Sequence, residues 1–139
     1  MKISQISLIS ARIALFVIYF WFGLLKVLGV SPASPLVEAL ANKTMPEAMP
    51  FSLFIILFGL FEILIGLLFI IPKAEKIATV LFFVHMITTT MPLFLVSGIW
   101  SAPFVPTLEG QYIIKNLALI ACVLFIWDKI QSVTAKNNG

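Results

Sequence analysis

The sequence predicts an all-α polytopic membrane protein, an antiparallel bundle of four transmembrane helices with both termini in the cytoplasm. Three observations lead to this fold class. The chain is 61% hydrophobic and only 11% charged, whereas about a quarter of the residues in a soluble domain are charged because its surface faces water. Four apolar stretches approach the roughly 20 residues that a helix needs to cross a bilayer. Lysine and arginine are unequally distributed among the segments that separate those stretches.

The four predicted spans cover residues 10–30, 51–71, 77–97 and 111–127 of a single 139-residue membrane domain. The second span carries one charged residue, Glu62, which insertion scales penalise by about 2.5–3.5 kcal/mol. Its many leucine, isoleucine and phenylalanine residues each favour insertion by about 0.3–0.6 kcal/mol and together outweigh that cost. A tight turn at 72–76 makes the second and third spans an antiparallel hairpin. The longer loop at 31–50 is expected to contain a short amphipathic helix near 36–41.

The positive charges predict the orientation. Six basic residues flank the predicted cytoplasmic ends of the spans: Lys2, Arg12, Lys73, Lys76, Lys129 and Lys136. The first and third loops contain only Lys43. Because cytoplasmic segments carry the excess of lysine and arginine, both termini are predicted inside and the two longer loops outside. Ser31-Pro32-Ala33 is similar to a signal-peptidase site, but Lys26 interrupts the approach to it, so we expect no cleavage.

Composition argues against several classes of function. The net charge is +3, but the basic residues are scattered, without a basic run or an aromatic-basic platform, so nucleic-acid binding is not expected. The single cysteine, Cys122, cannot form an internal disulfide or a thiolate metal cluster. The single histidine, His85, has no further donors at metal-ligand spacing, so no metal site is expected.

Polar side chains inside the predicted spans define a candidate site, because such groups are costly in lipid and normally find partners in the bundle interior. In the first span, helical spacing places four residues on one stripe: Arg12, Tyr19, Gly23 and Lys26. In the second, Glu62 shares a face with Gly59 and Gly66, whose small size lets a neighbouring helix approach. The third places His85 on one side with Thr88, Thr89 and Pro92, and the fourth begins near Lys115 and Asn116.

The depths of these residues, at a rise of about 1.5 Å per residue, predict two clusters. The inner, polar cluster would contain Arg12, Glu62 and His85. The outer, basic cluster would contain Lys26 and Lys115, approached from the loops by Glu38 and Glu109. The complete candidate cofactor-binding site comprises Arg12, Tyr19, Lys26, Glu62, His85, Lys115 and Asn116.

Structural interpretations of the same residues stay open. Arg12 and Lys26 can extend their long side chains to the two membrane interfaces. A pair of Glu62 with Arg12 can lock two helices together without any other role. His85 can serve as a hydrogen-bonding residue between helices.

Several short segments resemble the DoxX family. They are Arg12 at the start of the first span, Gly23-Leu24-Leu25-Lys26 near its end, Glu62 followed by Gly66, and Gly110-Gln111-Tyr112-Ile113-Ile114-Lys115-Asn116-Leu117. The last segment also resembles the related RclC/YkgB-like inner-membrane proteins, which are linked to oxidant resistance. The resemblance covers nearly the whole chain. It implies a small four-helix protein of the bacterial cytoplasmic (inner) membrane that works in a quinone-linked redox system, as the membrane subunit of thiosulfate:quinone oxidoreductase does, or in the assembly of such a system.

The sequence contains no cysteine pair, haem ligand set or flavin motif. We therefore expect an accessory subunit that seats a non-covalently bound quinone or a partner, and not a self-sufficient enzyme. Two alternatives stay open: a non-catalytic membrane chaperone or assembly partner, in which the polar stripe is architectural, and a small transporter or proton pathway. The expected partners are the lipid bilayer, a membrane protein and a second copy of the chain.

Overall fold

The computed structural model describes residues 3–45 and 49–137, with side chains from 5 to 45 and from 49 to 132. Within these residues the chain is mostly helical, as the sequence predicts. The elements in chain order are α1 (Ile3–Val27), α2 (Ser34–Thr44), α3 (Phe51–Ile70), α4 (Glu75–Thr90), α5 (Pro92–Leu95), β1 (Trp100–Ala102), β2 (Val105–Pro106), α6 (Leu108–Ile114) and α7 (Asn116–Asn137). The short antiparallel pair of β1 and β2 departs from the all-α prediction and lies in the third loop.

Three helical segments in the described part of the chain are long and apolar enough to cross a membrane: Gln5–Val27, Phe51–Ile70 and Glu75–Leu95. Their outward faces leave large aliphatic side chains exposed, such as Ile13 on α1, Leu57 on α3 and Ile87 on α4. So much exposed apolar surface is unfavourable in water and favourable against lipid. The chain is therefore a membrane protein that contacts the bilayer through these faces.

The fourth predicted span is divided between two helices, and its apolar run is short. Lys115 separates α6 from α7, and the apolar run 117–127 of α7 is shorter than the roughly 20 residues of a span because Asp128 and Lys129 follow it. α7 packs against α1 and α4. Its crossing of the membrane stays a prediction, and so does the orientation of the chain. Two of the basic residues that predict this orientation, Lys2 and the side chain of Lys136, lie outside the described residues.

Several element boundaries differ from the predicted ones. α1 begins at Ile3 and ends at Val27, so it is shifted toward the N-terminus relative to the predicted span 10–30. α4 ends at Thr90, and α5 continues in nearly the same direction after Met91, because Pro92 has no amide hydrogen to donate to the preceding turn. The short helix expected near 36–41 is α2, which begins with Pro35 in its first turn.

α1 packs most extensively against α3, and the two run antiparallel. Glycines at the crossing explain how closely they approach. A Cβ atom on Gly23 would lie 2.5 Å from the carbonyl oxygen of Gly59, and one on Gly59 would lie 2.6 Å from the carbonyl oxygen of Gly23. Gly66 leaves similar room for the backbone of Phe16 and Phe20. Small residues that let helix backbones touch are typical of membrane interfaces, and here they fix the register of α1 on α3.

The largest fully buried side chains come from all four long helices: Leu15, Ile65, Phe69, Phe82, Val123 and Ile126. Phe82 of α4 packs against aromatic side chains of both α1 and α3. Its ring centroid lies 5.8 Å from that of Tyr19 and 6.2 Å from that of Phe69. This apolar core therefore separates the middle of α3 from its C-terminal end, and a different group of charged side chains lies on each side of it.

Candidate functional site

Four of the predicted site residues meet between α1, α3 and α4: Tyr19, Lys26, Glu62 and His85. We call these four residues the central cluster. At most 5% of the surface of each is exposed. Burying so many polar groups is costly in lipid unless they pair with one another, and the distances show that they do.

Glu62 is the centre of the cluster. Its Oε2 lies 2.6 Å from Nζ of Lys26, and its Oε1 lies 3.0 Å from Nε2 of His85. Both carboxylate oxygens are therefore occupied by nitrogen donors from different helices. Phe58, one turn before Glu62, covers the group: its ring stacks on His85 at 5.2 Å and lies 5.7 Å from the Lys26 nitrogen. This arrangement combines an ion pair with a cation–π contact in a site that excludes solvent.

The ring of His85 has partners on both nitrogens. Because a carboxylate only accepts hydrogen bonds, Nε2 carries a hydrogen and donates it to Glu62. Nδ1 lies 3.2 Å from the hydroxyl oxygen of Tyr19 and 3.2 Å from that of Thr89. The Thr89 hydroxyl also donates to the carbonyl oxygen of His85 at 2.9 Å, so its oxygen is free to accept.

These contacts satisfy His85 in two protonation states. In the neutral ring, Nδ1 accepts the hydrogen of the Tyr19 hydroxyl. In the protonated ring, Nδ1 donates to the oxygen of Thr89 instead. A buried polar group without a partner is expensive; both ring nitrogens have partners in either state, but the hydrogen of the Tyr19 hydroxyl loses its acceptor when Nδ1 is protonated. The contacts of the two ring nitrogens therefore suit either form of His85, and the protonated form leaves Tyr19 less well paired.

The position of Lys26 corrects the prediction of an outer basic cluster. α1 ends at Val27, and Gly23 lies directly against Gly59. The last turn of α1 is consequently beside the middle of α3. Lys26 therefore reaches inward to Glu62, and Glu38 stays exposed on α2.

Lys115 and Asn116 lie elsewhere. Lys115 is exposed between α6 and α7, with its nitrogen 4.8 Å from the ring centroid of Tyr112. Asn116 begins α7 and is half-buried. Among the described residues Glu109 forms no ion pair with Lys115. Hydrogen bonds from its own backbone amide and from Thr107 lower the pKa of its carboxyl group.

Arg12 corrects the prediction of the inner cluster. It does not pair with Glu62 but lies at the C-terminal end of α3, about 10 Å farther along the helix axis. Its Nε donates to the carbonyl oxygen of Phe69 at 2.6 Å, and its terminal nitrogens lie 2.8 Å from Oε1 of Glu75 and 3.2 Å from the carbonyl oxygen of Ile71. We call Arg12, Glu75 and these two carbonyl groups the terminal clamp. Arg12 donates to the Phe69 carbonyl, which the end of the helix leaves without an intrahelical donor, and to the Ile71 carbonyl, which also accepts from the amide of Ala74. The helix dipole favours a cation at this end.

Sequence reasoning missed three contributors to these groups. Phe58 is four residues before Glu62 and so shares its helix face, which is a signal that helical spacing could have provided. Thr89 follows His85 by the same interval, so the spacing predicts only that both lie on one side of the span. Glu75 lies in the predicted turn 72–76, which the predicted orientation places at the same membrane surface as Arg12.

The chain matches no family model, no curated protein and no solved structure. Its resemblance to the DoxX family therefore rests on the short motifs described above.

Proposed function

We propose that this protein is an accessory subunit of a quinone-linked redox system in the bacterial cytoplasmic membrane, where its central cluster exchanges protons while a partner protein carries the electrons. The observation that supports this role is the environment of His85, with a carboxylate at one ring nitrogen and two hydroxyl groups at the other. Histidine is the side chain whose charge changes most readily near neutral pH. Its partners here accommodate both forms.

A purely structural purpose is a weaker explanation for the cluster. Polar contacts between membrane helices contribute only about 0.6 kcal/mol on average, whereas a charged side chain at the centre of a membrane helix costs about 2.5–3.5 kcal/mol on insertion scales. The sequence nevertheless retains a lysine, a glutamate and a histidine together. Ionisable groups kept inside a membrane commonly belong to proton relays.

The link to quinones comes from chemistry and from the resemblance. Reduction of a quinone to a quinol takes up electrons and protons in equal number. The sequence contains no motif for a flavin, a haem or a cysteine redox pair, so the electrons would come from a partner and the protons would pass through Tyr19, His85 and Glu62. The DoxX-like motifs include Glu62 and Lys26 themselves, which ties the resemblance to the cluster.

The proposal includes the complete topology, with α7 as a fourth span and both termini in the cytoplasm. The packing of α7 against α1 and α4 supports it. So does the excess of lysine and arginine on the segments assigned to the cytoplasm.

Purification from native membranes in a mild detergent tests the assignment. Mass spectrometry of the purified material should detect a membrane redox protein in fixed stoichiometry together with a quinone. Recovery of this chain alone, without quinone, would contradict the proposal.

A pair of variants tests the role of the cluster in the assembled complex. His85→Asn should lower quinone-linked turnover by at least about 100-fold, the contribution expected of a general acid–base group. Thr90→Ala is the matched control, because the Thr90 hydroxyl bonds only to backbone carbonyl groups of Met86 and Ile87. Equal turnover of both variants would refute a protonic role for His85.

One observation favours a second candidate, a non-catalytic membrane partner. Both oxygens of Glu62 are already occupied, and the cluster exposes almost no surface to a ligand. In that case His85→Asn would reduce the amount of assembled complex and leave turnover per complex unchanged. Proton flux through proteoliposomes that contain only this chain would instead indicate an independent proton pathway.

A further inference from the structure

A groove beside the terminal clamp is lined by apolar side chains and one cation, a combination that none of the functions above explains. It has a volume of about 300 Å³ and is lined by Leu8, Ile9, Arg12, Ile13, Ile70 and Pro72. Its walls are aliphatic apart from Arg12, and Ile9, Ile13 and Ile70 are exposed on the outward faces of α1 and α3. The groove therefore opens toward lipid, and its volume lies at the lower end of the range for small-molecule sites.

Positive charge is concentrated in Arg12, which lines the groove, and in the turn that follows the lining residue Pro72. Arg12 uses three of its five N–H groups on Phe69, Glu75 and Ile71, which leaves two for another acceptor. Lys73 directly follows Pro72 in the chain, and both Lys73 and Lys76 are exposed. Glu75 is the acid in this turn, and it is already paired with Arg12.

The backbone of the turn adds to this arrangement. Lys73 adopts a positive φ of 67°, and the chain changes direction here between α3 and α4. The residue before α4 is Ala74, which supplies no side-chain cap to the first amide groups of that helix. Uncapped amide groups at a helix start attract negative charge.

We propose that this groove binds an anionic phospholipid, with its phosphate held by Arg12 and the two lysines and one acyl chain against Ile9, Ile13 and Ile70. Charge complementarity decides the occupant, since Arg12 in the lining and the two lysines of the adjoining turn are three cations, and the acid of that turn, Glu75, is already paired. The site lies where α3 ends, which is the depth of lipid headgroups for a helix that spans the bilayer. A water-soluble anion would leave the aliphatic wall uncovered. A zwitterionic lipid would place its own positively charged headgroup near the basic residues, which repel it.

Native mass spectrometry of the full chain in detergent tests the proposal. Phosphatidylglycerol and phosphatidylcholine with identical acyl chains are added at equal concentrations, and the ratio of the two bound lipids is measured. The wild type should prefer phosphatidylglycerol. The preference should fall about fivefold for each lysine removed in Lys73→Gln and Lys76→Gln, and these exposed positions are not required for packing.

A matched double variant removes the same charge elsewhere. Lys43→Gln combined with Lys115→Gln should leave the lipid preference unchanged, because the proposed topology places both residues at the opposite membrane surface. Ile13→Trp should fill the groove and lower the binding of phosphatidylglycerol while all the charges are kept.

Three results would overturn the proposal. They are equal binding of the two lipids by the wild type, an equal loss of preference in the matched double variant, and displacement of phosphatidylglycerol by an equal concentration of glycerol phosphate. The last result would assign the site to a free anion.

Discussion

The central cluster and the terminal clamp both join a cation of α1 to a carboxylate, yet their chemistry differs. In the clamp, the exposed fractions of the Arg12 and Glu75 side chains are 18% and 11%, and two acceptors of Arg12 are backbone carbonyl groups. In the cluster, those of Lys26 and Glu62 are only 5% and 7%, and every partner of the carboxylate is an ionisable side chain. Backbone acceptors do not titrate near neutral pH, whereas histidine does.

The comparison shows that an ion pair alone does not identify a functional site in a membrane bundle. The clamp closes the end of α3, because the carbonyl groups there have no partners within the helix. The cluster lies in the middle of α3, where the backbone is already satisfied. Its charges therefore do not complete the hydrogen bonding of a helix end, which is why we propose a role in proton exchange for them.

The largest expected effect is the loss of the buried carboxylate. Glu62→Leu leaves Lys26 buried without a counter-ion and should lower the free energy of unfolding by about 3–5 kcal/mol. The double variant Lys26→Met, Glu62→Leu should recover most of this loss, because the unpaired charge is removed as well. Unfolding in detergent, followed by circular dichroism, gives both values. A double variant no more stable than Glu62→Leu would contradict the pairing.

The next effect concerns the glycine contact that holds the cluster together. Gly23→Ala places a methyl group against the carbonyl oxygen of Gly59, so the backbones must separate, and the unfolding free energy should fall by about 1–3 kcal/mol. Ser10→Ala on the exposed face of α1 is the control and should change little. Because Lys26 is one turn away, Gly23→Ala should also slow proton exchange at the cluster, and a normal rate in this variant would count against the proposed geometry.

The clamp should tolerate the loss of its acid better than the cluster does. Glu75→Gln leaves Arg12 with both carbonyl acceptors and partly solvated, so we expect a cost of no more than about 1 kcal/mol. Glu38→Gln, at an exposed position, is the reference. A cost equal to that of Glu62→Leu would remove the distinction drawn between the two regions.

The smallest effect on stability is expected at Tyr19. Tyr19→Phe removes one hydroxyl from Nδ1 of His85 and should cost about 0.6 kcal/mol, the average for a polar contact between membrane helices. Turnover of the assembled complex should nevertheless fall, with a changed pH profile, because the neutral ring loses its donor. An unchanged profile with the same small loss of stability would assign Tyr19 to packing.

The sequence predicted the parts of this arrangement that depend on one helix. Spacing placed Glu62 between Gly59 and Gly66, and the structure shows that this face receives α1. Spacing also placed Tyr19 and Lys26 on one stripe, and both face the cluster. Composition and hydropathy predicted a mostly helical chain with four spans, and in the described part of the chain three helical segments are long and apolar enough to cross a membrane.

The choice of ion-pair partners could not be predicted in the same way. It depends on the register between α1 and α3, and that register follows from the contact of Gly23 with Gly59 and from where α1 ends. Depth estimated from the predicted span 10–30 placed Lys26 too far from Glu62 and Arg12 too near it. The short apolar run of α7 likewise gave no signal of its contacts with α1 and α4.

The place of Lys26 in the last turn of α1 has a consequence for biogenesis. α1 is synthesised before α3, so the lysine enters the membrane before the carboxylate that neutralises it. From the end of a helix, a long side chain can keep its ammonium group in the hydrated headgroup layer, a route that Glu62, in the middle of α3, does not have. We expect the lysine to turn inward only when α3 arrives, and a permuted gene that encodes α3 ahead of α1 should yield less correctly assembled protein.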